Sequence, residues 1–363
     1  RAVRLAAASM PRTADETGPG AAMTLAQSIT ATLTTVMASR PHSLLFGEDV
    51  AVKGGVYGVT RGLRKAFGPA RVFDSILDEQ TILGTALGAA LAGLLPIPEI
   101  QYLAYVHNAE DQLRGEAASL RFFSAGQHAN GMVVRIAGLA YQKGFGGHFH
   151  NDNSVAVLRD VPGLVLAVPS HPADAPELLQ TCVALAEEEG RVCVFLEPIA
   201  LYHQRDLHPG DTAWTAPYAP ASADREAFGA TRLHGDGPDL LMVTFGNGVR
   251  LARLAADRLE RDAGVRCSVL DLRWLAPLPE VDLTAYAARF DHVLVVDETR
   301  RSGGVGEAVV AALVDAGQGG RIGRVASRDS YVPLGPAADQ VLLSVDDVVT
   351  GAVDLLGMSE AQG

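Results

Sequence analysis

Short apolar runs that do not alternate with polar residues, separated by longer stretches at helical spacing, limit this chain more than any other feature. SLLFGEDV (43–50), RVFDSIL (71–77), IPEIQY (97–102), GMVVRIA (131–137), LVLAVPS (164–170) and CVFLEP (193–198) are such runs. Strands buried on both faces read this way. Between them lie helical segments. TLAQSITATLTTVMA places Leu25, Ile29, Leu33 and Val36 on one face, with Thr24 as N-cap. Further helices are predicted from about Asp78 to Leu94, from Asn108 to Phe123 and from Asp174 to Glu188. Strand and helix in turn predict a parallel α/β sheet with helices on both faces.

The alternation stops in the Pro-, Ala- and Asp-rich stretch 206–236, read as an interdomain connection. It then resumes. LLMVTFG, CSVLDLRWL and HVLVVDE read as strands; VRLARLAADRLERDAG, VDLTAYAARF and GVGEAVVAALVDAG read as helices. The expected fold class is therefore α/β, with two doubly wound, mostly parallel-sheet domains over 23–205 and 237–363. Residues 1–22, rich in Pro, Gly and polar side chains, read as a flexible linker and are too acidic for a transit peptide.

Composition excludes several function classes. The formal charge is -12, from 30 basic and 42 acidic residues, and no basic stripe carries interleaved aromatics. Nucleic acid and anionic membrane surfaces are therefore poor partners. The three cysteines, Cys182, Cys193 and Cys267, have neither CxxC nor metal-ligand spacing, which predicts a reducing, cytoplasmic setting. The apolar run Leu83–Leu95 is too short to span a bilayer. Arginine far outnumbers lysine, which we read as the coding bias of a GC-rich bacterium.

Two glycine signatures suggest phosphate or metal binding. HGDGPD (234–239) contains the Gly-Asp-Gly that opens a metal–diphosphate motif, but the later asparagine it needs is absent at the required distance: Asn247 is too close. A turn before a strand is the better reading. RSGGVGEAV (301–309) lacks GxGxxG spacing and its downstream acid, and reads as a tight strand-to-helix turn. GxSxG, HExxH, P-loop and EF-hand patterns are all missing.

Glu48-Asp49, Asp78-Glu79, Gln101, Tyr102, Tyr105 and GGHFHND (146–152) all fall at carboxyl ends of predicted parallel strands, where open α/β sheets build their sites. Each has an ordinary reading alone. Asp78 is an expected N-cap, and Glu79 suits a helix start. Their shared location singles them out.

GEDVAVKGGVYGVTRGL, KAFGPARVFDSILDEQTILGTALG, PIPEIQYLAYVHNAEDQLRGEAASLRFFSAGQ, GGHFHND, PGLVLAVPS, FLEPIALY and DLRWLAPL occur in this order. From about Met23 to the C-terminus the chain closely resembles the β subunit of thiamine-diphosphate-dependent 2-oxoacid dehydrogenases. The resemblance implies a transketolase-like pyrimidine-binding domain and a transketolase C-terminal-like domain. It implies that Glu79 hydrogen-bonds the aminopyrimidine ring of thiamine diphosphate. A carboxyl group in a desolvated pocket beside the ring nitrogen can share a proton with it, and so help deprotonate the weakly acidic thiazolium carbon. It further implies Tyr105 against the pyrimidine, Leu77 and Gln101 at cofactor-lining positions, Glu48 at an acidic position near the cofactor, and His150 as the active-site histidine.

The chain departs from the family pattern in places. Asn151-Asp152 replace Ser-Gln, VHNAEDQ adds His107 and Glu110, and Phe123 stands where arginine is usual. The metal–diphosphate half is missing, so the resemblance implies an α subunit or α-like half that supplies the Mg2+ ligands in an α2β2 assembly. No metal ligand is expected from this chain. The N-terminal linker then has a further expected role, as the join to an upstream α-like half in one longer polypeptide. The implied activity is oxidative decarboxylation of a 2-oxoacid, branched-chain first and pyruvate next, with acyl transfer to the lipoyl group of an acyltransferase core. The alternatives are transketolase-type ketol transfer, which requires both cofactor halves in one chain, and a non-catalytic subunit docking the acyltransferase.

Overall fold

The computed structural model describes residues 20–139, 147–220 and 228–358. The linker expected over 1–22 lies almost entirely outside the described residues, as do Gly146 of the histidine motif and part of the 206–236 connection. In chain order the first half runs β1 (Ala22–Met23), α1 (Leu25–Ser39), β2 (Ser43–Gly47), α2 (Leu63–Phe67), β3 (Val72–Asp74), α3 (Glu79–Leu91) and β4 (Leu95–Ile100). A 3₁₀ helix (Leu103–Ala109) follows, and the regular helix expected over 108–123 is instead broken by a π-type segment (Gln112–Ala117) before α4 (Ala118–Phe123). Then come β5 (Met132–Gly138), α5 (Ala156–Arg159), β6 (Val165–Ala167), α6 (Ala175–Glu189), β7 (Val192–Pro198) and β8 (Ala216–Pro217). The second half runs β9 (Arg232–His234), β10 (Leu240–Thr244), α7 (Asn247–Ala263), β11 (Cys267–Asp271), β12 (Trp274–Ala276), α8 (Glu280–Ala287), β13 (His292–Arg300), α9 (Val305–Asp315), β14 (Arg321–Ser327) and α10 (Val345–Leu356).

The first sheet has the order β12-β6-β7-β5-β4-β2-β3, the second β14-β13-β10-β11-β9. Both are parallel except for their antiparallel edge strands β12 and β9. The missing polar alternation has a visible cause. Val133, Cys193 and Phe195 point into one buried cluster with α1 and α6, while Val134, Val194 and Leu196 point into another with α3. Thr24 caps α1 in a reciprocal box with Gln27. Asp78 differs from expectation: it occupies the N-cap position of α3, but its carboxylate takes the Thr81 hydroxyl instead of a backbone N–H. Among the described residues no helix is long and apolar enough to cross a membrane.

CSVLDLRWL, read as one strand, is two strands in different sheets. β11 pairs with β10 in the second sheet and β12 with β6 in the first. The chain pivots at Arg273, whose φ of 62° is left-handed. The pivot is held by charge. Ser170 Oγ donates to Asp174 (3.2 Å) and to Asp271, and Arg232 and Arg273 both reach Glu177. Full burial, with the Asp174 carboxylate beside it, pushes the Asp271 carboxyl from its ordinary 3.8 up to about 7. Between those values the native state keeps a proton that the unfolded chain has released, so stability falls as pH rises through this window. We expect a loss on the order of a few kcal/mol between pH 4 and 7 from this group. Asp271→Asn should flatten that slope in denaturant titrations across the same pH range; an unaltered slope would refute the assignment.

Candidate active site

The site assembles at strand ends of the first sheet. Glu48 and Asp49 follow β2, Gln101 and Tyr102 follow β4, and Glu79 opens α3 just after β3. Asp49 has a left-handed φ of 60°, a conformation that aspartate tolerates better than most residues. Its carboxylate takes Lys53 Nζ (2.8 Å) and Gln101 Nε2 (3.4 Å). Gln101 is 9% exposed, so the turn after β2 and the end of β4 are joined through a nearly buried amide.

Glu79 is the informative position. Residues 79, 82, 83, 86 and 90 are the buried face of α3, and this spacing is one apolar helical stripe. A carboxylate therefore occupies the first place in a stripe otherwise filled by Ile82, Leu83 and alanines. Glu79 itself is only 8% exposed. Oε2 accepts from Asn108 Nδ2 (3.2 Å). The Asn108 amide thus holds this carboxylate at the head of α3, among otherwise apolar neighbours.

Tyr105 and His150 face it. Tyr105 Oη and His150 Nε2 share a hydrogen bond of 3.0 Å. Both rings pack edge-on to Tyr102, with centroids 5.6 and 4.7 Å away, and Tyr57 packs against Tyr102 from behind at 6.1 Å. Partial burial, then Glu48, raises the Tyr105 phenol above its ordinary value, with Tyr102 and Glu79 adding to the shift. Burial also raises the Glu48 carboxyl, with Asp49 and Glu79 adding to it and Lys53 and His150 opposing. Two carboxylates, Glu48 and Glu79, thus lie close enough to act on the tyrosine of this pair, and Asp49 lies beside Glu48. Leu77 is 77% exposed.

Beneath the site, three neighbouring strands each carry one charged residue into the sheet. Arg135 on β5 is 1% exposed and donates to Glu197 on β7 through Nε (2.7 Å) and Nη2 (3.0 Å), and to Glu99 on β4 through Nη1 (2.6 Å). Tyr202 Oη donates to Glu197 at 2.6 Å. Burial raises the Glu99 carboxyl against the pull of Arg135. This cluster, like Asn108, escaped the sequence reading. Charges of opposite sign within otherwise apolar strands were its available signal.

A model of the transketolase pyrimidine-binding domain matches residues 21–203, and one of the transketolase C-terminal domain matches 229–348. The chain is 33% identical over 344 residues to the pyruvate dehydrogenase E1 component subunit beta of Staphylococcus aureus (strain Mu50 / ATCC 700699), covering 93% of this chain and 99% of that protein. It is equally similar, over the same extent, to the subunit of the same name in Bacillus subtilis (strain 168). The chain belongs to the E1 β-subunit family. A solved structure named "Split gene transketolase, inactive beta4 tetramer" shares the fold at a TM-score of 0.68 and 18% identity, covering 93% of this chain and 99% of that one.

In this E1 β-type chain both glycine motifs are internal turns. Gly235 has a left-handed φ of 76°, and a Cβ on Gly237 would meet the Arg266 carbonyl carbon at 2.3 Å, so HGDGPD turns tightly between β9 and β10. At the start of α9 the chain's own carboxylates take the amides: Gly303 N–H goes to Glu307 (3.1 Å) and Gly306 N–H to Asp297 (2.6 Å). Among the described residues no group of three or more His, Cys, Asp or Glu could hold a metal ion. What the described residues gather at the strand ends of the first sheet is a cluster of acidic and aromatic side chains.

Proposed function

We propose that this chain is the β part of a decarboxylating 2-oxoacid dehydrogenase that uses thiamine diphosphate, prefers branched-chain 2-oxoacids with pyruvate next, and passes the acyl group to a lipoyl arm. The observation that carries the reading is Glu79, a nearly buried carboxylate at the head of an apolar stripe beside the Tyr105–His150 pair. The pyrimidine of the cofactor fits there. It is flat, it suits the Tyr105 wall, and it has a ring nitrogen that a carboxyl can protonate. When bound, the cofactor supplies a carbon nucleophile and an electron sink for decarboxylation.

The chain's own residues do the rest. Glu79 holds and returns a proton at its free oxygen, with Asn108 fixing the other. Tyr105 orients His150, whose imidazole would then be placed to orient or protonate the bound 2-oxoacid or to meet the incoming lipoyl group. Glu48 and Gln101 complete the acidic, partly dried wall. The diphosphate and Mg2+ would be held by an α-type partner in an α2β2 assembly, with the site at the α–β boundary.

The test is a panel of 2-oxoacids offered to the complex co-purified with its α-type partner, with an artificial electron acceptor. Turnover highest on 4-methyl-2-oxopentanoate and its branched relatives, and lower on pyruvate, is the expected outcome. A preference for pyruvate would correct the substrate. Ketol transfer between sugar phosphates, or cofactor binding by neither chain nor complex, would overturn the reading.

A further inference from the structure

The loop that carries His150 is held from two sides, and one holder comes from the second sheet. On the near side, Tyr105 bonds His150 and Tyr102 packs edge-on to its ring. Two residues later, Asp152 Oδ1 accepts the Ser154 N–H (3.0 Å) and also Arg300 Nη2 (2.9 Å), at the end of β13. Arg300 is itself fixed. Its Nε donates to the Ser330 carbonyl (3.2 Å), and its guanidinium lies 5.8 Å from the centre of the Tyr331 ring. Asn153 Nδ2 donates to the Glu298 carbonyl (2.7 Å), and the His148 ring packs 5.1 Å from Tyr331. The Asp152 and Arg300 side chains are 10% and 25% exposed, so solvent screens this pair less than a surface pair.

We propose that Arg300 is a positioning residue for His150: acting through Asp152, it seats the 147–154 loop so that the imidazole stays on Tyr105. The geometry of the first domain's site then depends on the seating of the second. Asn153 makes a neutral bond to a backbone carbonyl, whereas Asp152–Arg300 is charge-assisted and stronger. Removing Arg300 leaves a nearly buried carboxylate with the Ser154 N–H but no counter-charge, two residues from the histidine. The glutamine that the resemblance places at 152 could not form this ion pair. The catalytic part of this inference rests on the proposed role of His150; the positioning part does not.

Two measurements on the complex with its α-type partner test it. Where small displacements near a reacting centre matter, Arg300→Ala and Asp152→Asn are each expected to lower kcat by about ten- to a hundred-fold, with KM little changed. Arg300→Lys should recover part of the loss. In a His150→Ala background Arg300→Ala should add no further loss; an equal loss in both backgrounds overturns the proposal. The second measurement needs no turnover. Backbone hydrogen exchange across 147–154 should rise in Arg300→Ala and Asp152→Asn and stay lower in Arg300→Lys. Unchanged exchange overturns the proposal, whatever the wild-type complex does. Raised exchange in a complex inactive on every 2-oxoacid sinks the functional reading and leaves the positioning role standing.

Discussion

Glu79→Gln is expected to lower 2-oxoacid turnover by the complex by about 10²- to 10⁴-fold, the range for losing a positioned proton donor and acceptor. The amide has the same shape. Its carbonyl can still accept from Asn108 Nδ2, now 3.2 Å from Glu79 Oε2, so the fold and the head of α3 should stay intact. What is lost is an oxygen that can carry a proton. Glu79→Asp tests position instead of chemistry. It keeps the carboxyl but withdraws it by one methylene along the buried stripe, and activity should fall nearly as far. The check is steady-state turnover alongside thermal melting. Unchanged melting with turnover lost is the expected pair of results. Full activity in Glu79→Gln would remove the central residue from the proposed chemistry.

The largest stability effect is expected at Arg135. Replacing it by methionine leaves Glu99 and Glu197, 8% and 1% exposed, with no counter-charge. Breaking a buried ion pair from one side costs about 3–5 kcal/mol, because the remaining charge keeps its desolvation penalty. The first domain of Arg135→Met should therefore unfold at much lower denaturant concentration. Removing the whole cluster should behave differently. Arg135→Met combined with Glu99→Leu, Glu197→Leu and Tyr202→Phe leaves no orphaned charge, and similar exchanges are often neutral or stabilising. We expect the quadruple variant to recover most of the lost stability in equilibrium unfolding. If it stays as unstable as the single variant, the cluster supports the sheet by shape and not by charge pairing.

Much of this protein is legible in its sequence. Burial of strands on both faces leaves unalternated apolar runs, and those runs located β2 to β7 of the first sheet and β10, β11 and β13 of the second, but not the edge strands β9 and β14. Capping chemistry at Thr24 and the spacing of Leu25, Ile29, Leu33 and Val36 marked α1. The strand ends that gather Glu48, Gln101, Tyr105 and His150 were also readable, because parallel sheets present their sites at carboxyl ends.

What the sequence determined by itself was local: period, caps, turns, and which residues stand at which strand end. Tertiary structure alone decided what those residues meet. No local pattern shows that CSVLDLRWL is divided between two sheets, since the division depends on a left-handed Arg273 held by Glu177, 96 positions away. Nor could local pattern pair Arg135 with Glu99 and Glu197, or Asp152 with Arg300, 148 positions along the chain. Such contacts form only when strands from distant segments lie side by side. Their strength comes from shared burial, which is a property of the folded whole and of no single segment.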